Sequence, residues 1–402
     1  MNITLFETRE SAERLDPISL TRPVFDLRCG ALTFMERIRL LQPKATFTLF
    51  VRKELSELTR QRFPDCNVNP GTSSGGLWMD GAVLWSKESL KALEKQGDTA
   101  LSKEGRLVGG NLSKKDAHDW IDAGGPCEVP PPVFGDETDI TVISYLWDCV
   151  HKNGDTIRDD ASHFSLGEIN GWIDDGAHLV NRDEISVGEG SRVRVGTIID
   201  AEPGPVIIGK NVVIQPSAYV EGPVFIGDGS LIRVGAKIFG GTTIGPGCKV
   251  GGEVTESIFQ GWSNKQHDGF LGNAYIGEWV NLGAGTNNSD LKNNYTSVKI
   301  MVNGKWIDTG SLFVGLFIGD HSKSAIGTQF NTGTVVGPAC NVVTAGFPRR
   351  AIPPFSWVVR GKSRDHAFDE FMKTAIAAKN RRGHSFSGAE ENLFRRIAKE
   401  SN

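Results

Sequence analysis

The sequence predicts a mixed α/β domain followed by a solenoid of very short strands, closed by a helical tail. Three observations carry this. From Ile208 an aliphatic residue recurs every sixth position: Ile208, Ile214, Val220, Ile226, Ile232, Ile238, Ile244, Val250. Four residues after each stands a small or β-branched one: Val212, Ala218, Val224, Ser230, Ala236, Thr242, Cys248, Val254. Before residue 150 the hexad is missing, and short apolar runs alternate with helical spacing. A period of six fits neither the helix nor plain strand alternation. Held in phase with Gly and Pro between, it means minimal strands and turns wound into coils. The aliphatic residue points to a narrow axis and stacks on its equivalent in the next coil. The small residue tucks beside a corner. A sandwich with ordinary turns would have loops of varied length and would lose phase.

Residues 1–150 read as the α/β domain. Asn2 to Phe6 is a short apolar strand. Leu32 to Leu41 has helical spacing (Leu32, Met35, Ile38, Leu41), with Thr33 able to cap it. Ala45 to Val51 predicts a strand, Lys53 to Phe63 a helix and Gly81 to Trp85 a strand. Asn67 to Gly76 and Val129 to Val133 are turn-rich. Ile140 to Val150 is apolar, helical or extended against the core. Between the first strand and first long helix lies Leu20-Thr21-Arg22-Pro23-Val24-Phe25-Asp26-Leu27-Arg28-Cys29-Gly30. Two arginines and a glycine ahead of a helix suit phosphate; a surface turn with locally paired arginines fits the same residues.

Residues 151–185 read as a polar connector and 186–347 as the solenoid. Hexads begin at Val187, Val193 and Ile199, and extra residues at Ala201 to Pro205 shift the phase. The period breaks across Thr255 to Phe270. It resumes at Ile276 and Leu282 and runs through Ile300, Leu312, Ile318, Phe330, Val336 and Val342, with Asn288, Asn294, Trp306 and Ser324 failing it. Pro348, Pro353 and Pro354 end it. Residues 348–402 form a mostly helical tail, with Arg349-Arg350, Lys362, Arg381-Arg382 and Arg395-Arg396 as a local basic patch. That patch is a solvated face or an anion site.

Composition narrows the function. The chain has 402 residues, enough for two or three domains. Its 44 basic and 48 acidic residues leave a net charge of -4, with no bias toward nucleic acid. No apolar run of about 18 residues and no signal peptide is present, so no membrane partner is expected. Six cysteines without a CxxC pair fit a reducing cytoplasm.

Regular coils are scaffold, so chemistry is expected where they break. The main break is Gly261-Trp262-Ser263-Asn264-Lys265-Gln266-His267-Asp268-Gly269-Phe270-Leu271-Gly272, and the next block is Asn281-Leu282-Gly283-Ala284-Gly285-Thr286. The hexads resemble the hexapeptide-repeat, left-handed parallel β-helix family, with three hexads per coil. Most enzymes of that family are trimers that move an acyl group from a thioester. The His267 to Gly272 run and the Asn281 to Thr286 block resemble the acetyltransferase half of the bifunctional N-acetylglucosamine-1-phosphate uridylyltransferase/glucosamine-1-phosphate N-acetyltransferase family, at the same spacing. The family's tyrosine is Phe270 here, its following Asn-Tyr pair falls on Asp290-Leu291, and its glycine-rich nucleotide loop is absent.

The resemblance implies His267 as general base, Arg233 and Asn281 as substrate-binding residues, and Gly283, Ala284 and Gly285 as the acetyl-CoA turn; the family's phosphate-binding lysine has no obvious counterpart, and Lys265 in the same break is a further substrate-binding candidate. Arg22 and Arg28 would bind the nucleotide, UTP or another NTP, with Mg²⁺ if nucleotidyl transfer is active. Metal ligands stay unassigned; Asp80 fits one only by position, and a turn carboxylate fits it better. A homotrimer acting on a sugar phosphate in the cytoplasm is expected. An amino sugar is mostly ammonium at neutral pH and needs a base before it can attack a thioester. Imidazole suits that task. Two rivals remain: a zinc site of three histidines, for which the later repeats offer only His267 and His321, and an N-terminal domain that binds nucleotide only to regulate.

Overall fold

The structure is a computed structural model that describes residues 1–73, 75–95, 100–104, 106–129, 135–344 and 346–401. Most of the turn-rich run expected at 129–133 lies outside the described residues.

The N-terminal domain is a seven-stranded sheet flanked by helices. Its strands stand in the order Asn67–Val68, Thr46–Phe50, Asn2–Phe6, Gly76–Asp80, Arg106–Leu112, Ala100–Lys103, Asp136–Glu137. The first four are parallel, and Arg106–Leu112 runs against them. The first strand and the first long helix lie as the sequence predicts. The helix spans Phe34–Leu41, and Thr33 caps it by accepting from the Glu36 amide while the Glu36 carboxylate accepts from the Thr33 amide. One strand is displaced. Gly81 to Trp85, read as a strand, is the turn after Gly76–Asp80, whose Trp78 and Met79 are fully buried. The glycine at 76 hid the strand start.

The β-helix has three faces. The first holds nine strands from Ile185–Val187 to Ala351–Ile352. The second runs from Trp172–Ile173 through Leu231–Ile232 and Lys249–Val250 to Asn264–Lys265, and isolated bridges carry it through Asn281 to Lys323–Ser324. The third runs from His178–Val180 to Phe270–Gly272. All eight hexad aliphatics from Ile208 to Val250 are buried, as are the eight small residues that follow them. The stacked aliphatics form one continuous apolar core.

The coils begin and end outside the expected bounds. Trp172–Ile173 and His178–Val180 already belong to the second and third faces, so 151–185 is not a free connector. Its first part continues the helix Leu146–Asp160. At the other end Ala351–Ile352 and Ser356–Val359, on either side of Pro353 and Pro354, still pair with coil strands. A proline is tolerated there because it stands in a turn, where no ladder amide is needed.

Beyond Val254 the inward register survives while the aliphatic pattern does not. Val250 pairs with Lys265, Asn288 with Phe330, and Ser324 with Val342. Lys265, Asn288 and Ser324 are buried at positions that aliphatics hold elsewhere. Ile300 and Leu312 keep the count of six only by coincidence. They lie in an excursion carrying the hairpin Lys299–Val302/Lys305–Asp308, and Leu312 is exposed.

The N-terminal domain packs on the first face. Tyr275 donates to Gln260 Oε1 at 2.7 Å and accepts from the Arg28 amide at 2.9 Å, and Thr243 donates to the Gly30 carbonyl. The helices Phe368–Asn380 and Gly388–Glu400 wrap the corner between the first and second faces. There Trp262 and Trp279 stack at 5.5 Å, and His321 sits among Phe371, Phe386 and Phe394.

Candidate functional site

The predicted β-helix residues gather along one corner, where the second face turns into the third. Four successive coils are stitched there. Gly251 donates to the Lys265 carbonyl at 2.6 Å, Gly285 to Asp268 at 3.0 Å, and Gly327 to Ala284 at 2.7 Å. Arg233 stands on the same corner two coils before His267, and Gly283, Ala284 and Gly285 one coil after it. With strands about 4.8 Å apart, Arg233 and His267 are separated by roughly 10 Å along the corner. The side chain of Arg233 is half-buried, with no ion-pair partner among the described residues, and His267 is exposed. Asn281 is also exposed and accepts from the Asn264 side chain at 3.2 Å.

Lys265 departs from its expected role. The register turns its side chain into the β-helix, where Nζ donates to the carbonyls of Gly251, His267 and Gly269 at 3.0, 3.1 and 2.6 Å. Burial pushes its ammonium down to about 8. It staples the turn that carries His267 and offers nothing to a ligand. The turn is further constrained at Gly269, with φ +128°, where a Cβ would lie 2.2 Å from the Thr286 carbonyl oxygen. Gly283 is required by packing as well, since a Cβ there would meet the Ala325 backbone at 2.5 Å.

Arg22 and Arg28 are also corrected. Arg22 is 0% exposed, with its guanidinium 2.5 Å from Asp320 and 3.2 Å from Glu278. Burial opposes its charge, but Asp320, Glu278 and Asp26 outweigh this and hold it well above its usual range. Arg28 is buried too; it donates to the Ala31 carbonyl at 2.6 Å and pairs with Glu36 at 3.4 Å. Both arginines tie the domains together, and neither presents a donor to a triphosphate. Asp80 accepts from the Ala82 amide and pairs with Arg106 at 2.5 Å, so it is a turn carboxylate. Among the described residues no group of three or more His, Cys, Asp or Glu side chains is placed to hold a metal ion. His267 and His321 stand on different corners.

Two clefts flank these elements. One, of about 590 Å³, lies at the carboxyl ends of the parallel strands of the N-terminal sheet, lined by Thr8, Arg9, Arg14, Lys103, Arg106 and Glu128. Open α/β sheets bind ligands there, where the strand order reverses. The cations of the first strand's end escaped the sequence reading because no motif marks them. The other cleft, of about 620 Å³, lies between the second face and the helix Phe368–Asn380. It is lined by Lys249, Lys323, Arg381 and Arg382, together with Asn264 and Asn281. Of the tail's basic residues, Lys373, Arg381 and Arg382 line this cleft. Arg350 lies over Trp306, while Arg395 and Arg396 pair with Glu391 and Glu400.

The chain is thus a half-parallel α/β domain, with its cleft at the strand ends, set on a three-sided β-helix of hexapeptide repeats. Residues 3–168 match the family model described as sugar nucleotidyl transferase. A curated relative, the bifunctional sugar-1-phosphate nucleotidylyltransferase/acetyltransferase of Sulfurisphaera tokodaii, is 33% identical over 121 residues. That alignment covers 30% of this chain and 27% of the relative, so the chain spans about a quarter of that protein's length. Among solved structures, the UDP-N-acetylglucosamine acyltransferase from Campylobacter jejuni aligns at 14% identity and TM-score 0.25, over 57% of this chain and 95% of that one. A point mutant of the N-acyltransferase AntD from Bacillus cereus, in complex with dTDP-4-amino-4,6-dideoxyglucose and coenzyme A, aligns at 14% identity and TM-score 0.18, over 54% and 95%.

Proposed function

We propose that the chain is a two-module sugar-phosphate transferase: an acetyl-CoA-dependent N-acetyltransferase on the β-helix corner, joined to a sugar-1-phosphate nucleotidyltransferase module. The observation that carries the first half is the exposed His267 imidazole on a turn stapled by Lys265, between Arg233 and the Gly283 to Gly285 turn. A base must be both free and held still to be useful. His267 removes the proton of the sugar amine as its nitrogen attacks the thioester carbon. The carbon–sulfur bond then breaks and the thiolate leaves. Arg233 and Asn281 hold the sugar phosphate. Arg233 suits that role because its guanidinium has no carboxylate partner among the described residues.

The nucleotidyl half rests on the family match and on the strand-end cleft. Asp80, already engaged by Arg106 and the Ala82 amide, does not fit a Mg²⁺ ligand, and no step is routed through the metal. A second reading, in which this module binds a nucleotide without turning it over, is favoured by one observation. Cations lining the cleft are paired internally, Arg9 with Glu128 and Glu54, Arg106 with Asp80.

Incubation with acetyl-CoA, glucosamine 1-phosphate and UTP, with products resolved by mass spectrometry, tests both halves. His267→Ala is expected to keep the fold, since the imidazole supports no packing, and to lower acetyl transfer by about 10²–10⁴-fold. Parental kcat/KM in that variant would remove His267 from the mechanism. Arg233→Ala is expected to raise KM for the sugar phosphate more than it lowers kcat. Acetyl-CoA and NTPs are cytoplasmic metabolites, and we assign the chain to that compartment. No helix among the described residues is long and apolar enough to cross a membrane.

A further inference from the structure

We propose that the cleft between the second face and the helix Phe368–Asn380 binds the phosphate groups of a small molecule, held by Lys249, Lys323, Arg381 and Arg382. The site's existence does not depend on the acetyltransferase reading; only the identity of its ligand does.

The first argument is charge without countercharge. The cleft is lined by basic, amide, aromatic and small residues, with no Asp or Glu. Among the described residues none of these four cations has a carboxylate within ion-pair distance, whereas Lys373, which also lines the cleft, pairs with Glu370 at 2.7 Å. Elsewhere the same tail pairs its cations as they come, with Lys379 on Glu390 at 2.5 Å and Arg395 on Glu391 at 2.7 Å. Cations gathered without acids repel one another, and an anion relieves that cost.

The second argument is preorganisation. Arg382 donates to the Gly247 carbonyl and to Asn264 Oδ1, which fixes its guanidinium across two coils. Lys323 donates to the His321 carbonyl at 3.0 Å. These acceptors are neutral, so they orient the cations without discharging them. Burial, with Arg382, Arg381 and Arg233 nearby, holds the Lys249 ammonium below its usual range, and burial brings Lys323 down to about 8. Both directions describe cations short of an anion. A phosphate's several acceptor oxygens match such a cluster of donors better than a single carboxylate does.

The third argument is position. The cleft's volume suits a nucleotide-sized molecule. Gln266 and Asn281 line it, and both adjoin the His267 corner. A ligand whose phosphates sit under the C-terminal helix can therefore reach that corner with its other end. Two sources share this chemistry: the phosphates of the thioester cosubstrate, or those of the sugar.

Calorimetry on the full chain tests it, with inorganic pyrophosphate, coenzyme A and glucosamine 1-phosphate as separate probes. Pyrophosphate is expected to bind, with affinity falling as salt rises. Lys249→Gln and Arg381→Gln should each weaken it by about 10-fold, one lost charge-assisted contact, while Arg381→Lys should recover most of the loss. Thermal melts of each variant confirm folding. A matching loss for coenzyme A alone assigns the phosphates to the cosubstrate; a loss for glucosamine 1-phosphate alone assigns them to the sugar. His267→Ala should bind pyrophosphate as the parent does, so a failed base assignment leaves this result standing. If pyrophosphate does not bind, or if both Gln variants bind every probe as the parent does, the proposal is overturned.

Discussion

Arg22 shows how one buried side chain can mislead and then explain. In the sequence it stands in a turn ahead of a helix, a fair phosphate ligand. In the fold it meets Asp320 and Glu278 from the β-helix, and Thr21 adds a hydrogen bond to Asp320 at 2.7 Å. Removing one partner strands a buried charge. Arg22→Ala is expected to lower stability by about 3–5 kcal/mol, read from urea unfolding. A loss below about 1 kcal/mol would mean the network relaxes freely. Glu278 carries the pH signature of the same contact. Burial opposes its charge, but Arg22 and Arg62 overcome this and bring its carboxyl down to about 2 from 4.5. A depressed acid stabilises the fold above its unfolded value and loses that contribution as pH falls through the folded one. The difference in stability between parent and Glu278→Gln should therefore be full above pH 4.5 and shrink toward pH 2. A difference that stays constant over that window would break the assignment.

At the scale of elements, the corner that carries His267 is a turn built from what the hexad leaves out. The aliphatic hexad fails there, and polar residues turn inside to meet the backbone of the turns. Asn288 shows the principle, accepting from the Gly272 amide and donating to the Gly272 carbonyl, both at 2.9 Å. Lys265 does the same for the His267 turn with three carbonyls. Gly269→Ala should strain this turn, because φ +128° disfavours a side chain and the Cβ meets Thr286. A loss of about 1–3 kcal/mol is expected, with acetyl transfer falling further than the melt alone explains. Unchanged transfer would show that the turn tolerates displacement and that His267 need not be held.

At the scale of the molecule, the N-terminal domain covers the first face, and the tail covers part of the second. The corner of the candidate site stays open and is lined by apolar tips: Val195 is 49% exposed, Val234 63% and Ile326 78%. Exposed apolar rows of this kind are a common mark of interaction surfaces. We propose a homotrimer with coils packed side by side at this corner. Light scattering is expected to give three chains per particle at micromolar concentration; a monomer would remove the assembly from the mechanism. Calorimetry with each common NTP addresses the N-terminal module. Binding of at least one is expected, and none binding would leave that module as a structural partner of the β-helix.

The sequence by itself determined the solenoid, because a coil contacts only its neighbours and repeats the same local demand every six residues. His267, Arg233 and Asn281 were singled out by the resemblance of their motifs, not by the repeat, since none of them stands on the hexad phase. The limits of the coils were less legible: strands of two residues at Trp172 and Ala351 carry too few side chains to show a period. Three questions were left to the tertiary structure. Lys265 points inward because the coil from Lys249 to Asn264 is shorter than its neighbours, which sets the register independently of residue type. Arg22 faces the β-helix because its carboxylate partners Glu278 and Asp320 lie far along the chain, where no local pattern announces them, while Arg28 is closed off by Ala31 and Glu36 nearby. Arg381 and Arg382 became part of a cleft only when the last helices folded back across a face laid down more than a hundred residues earlier.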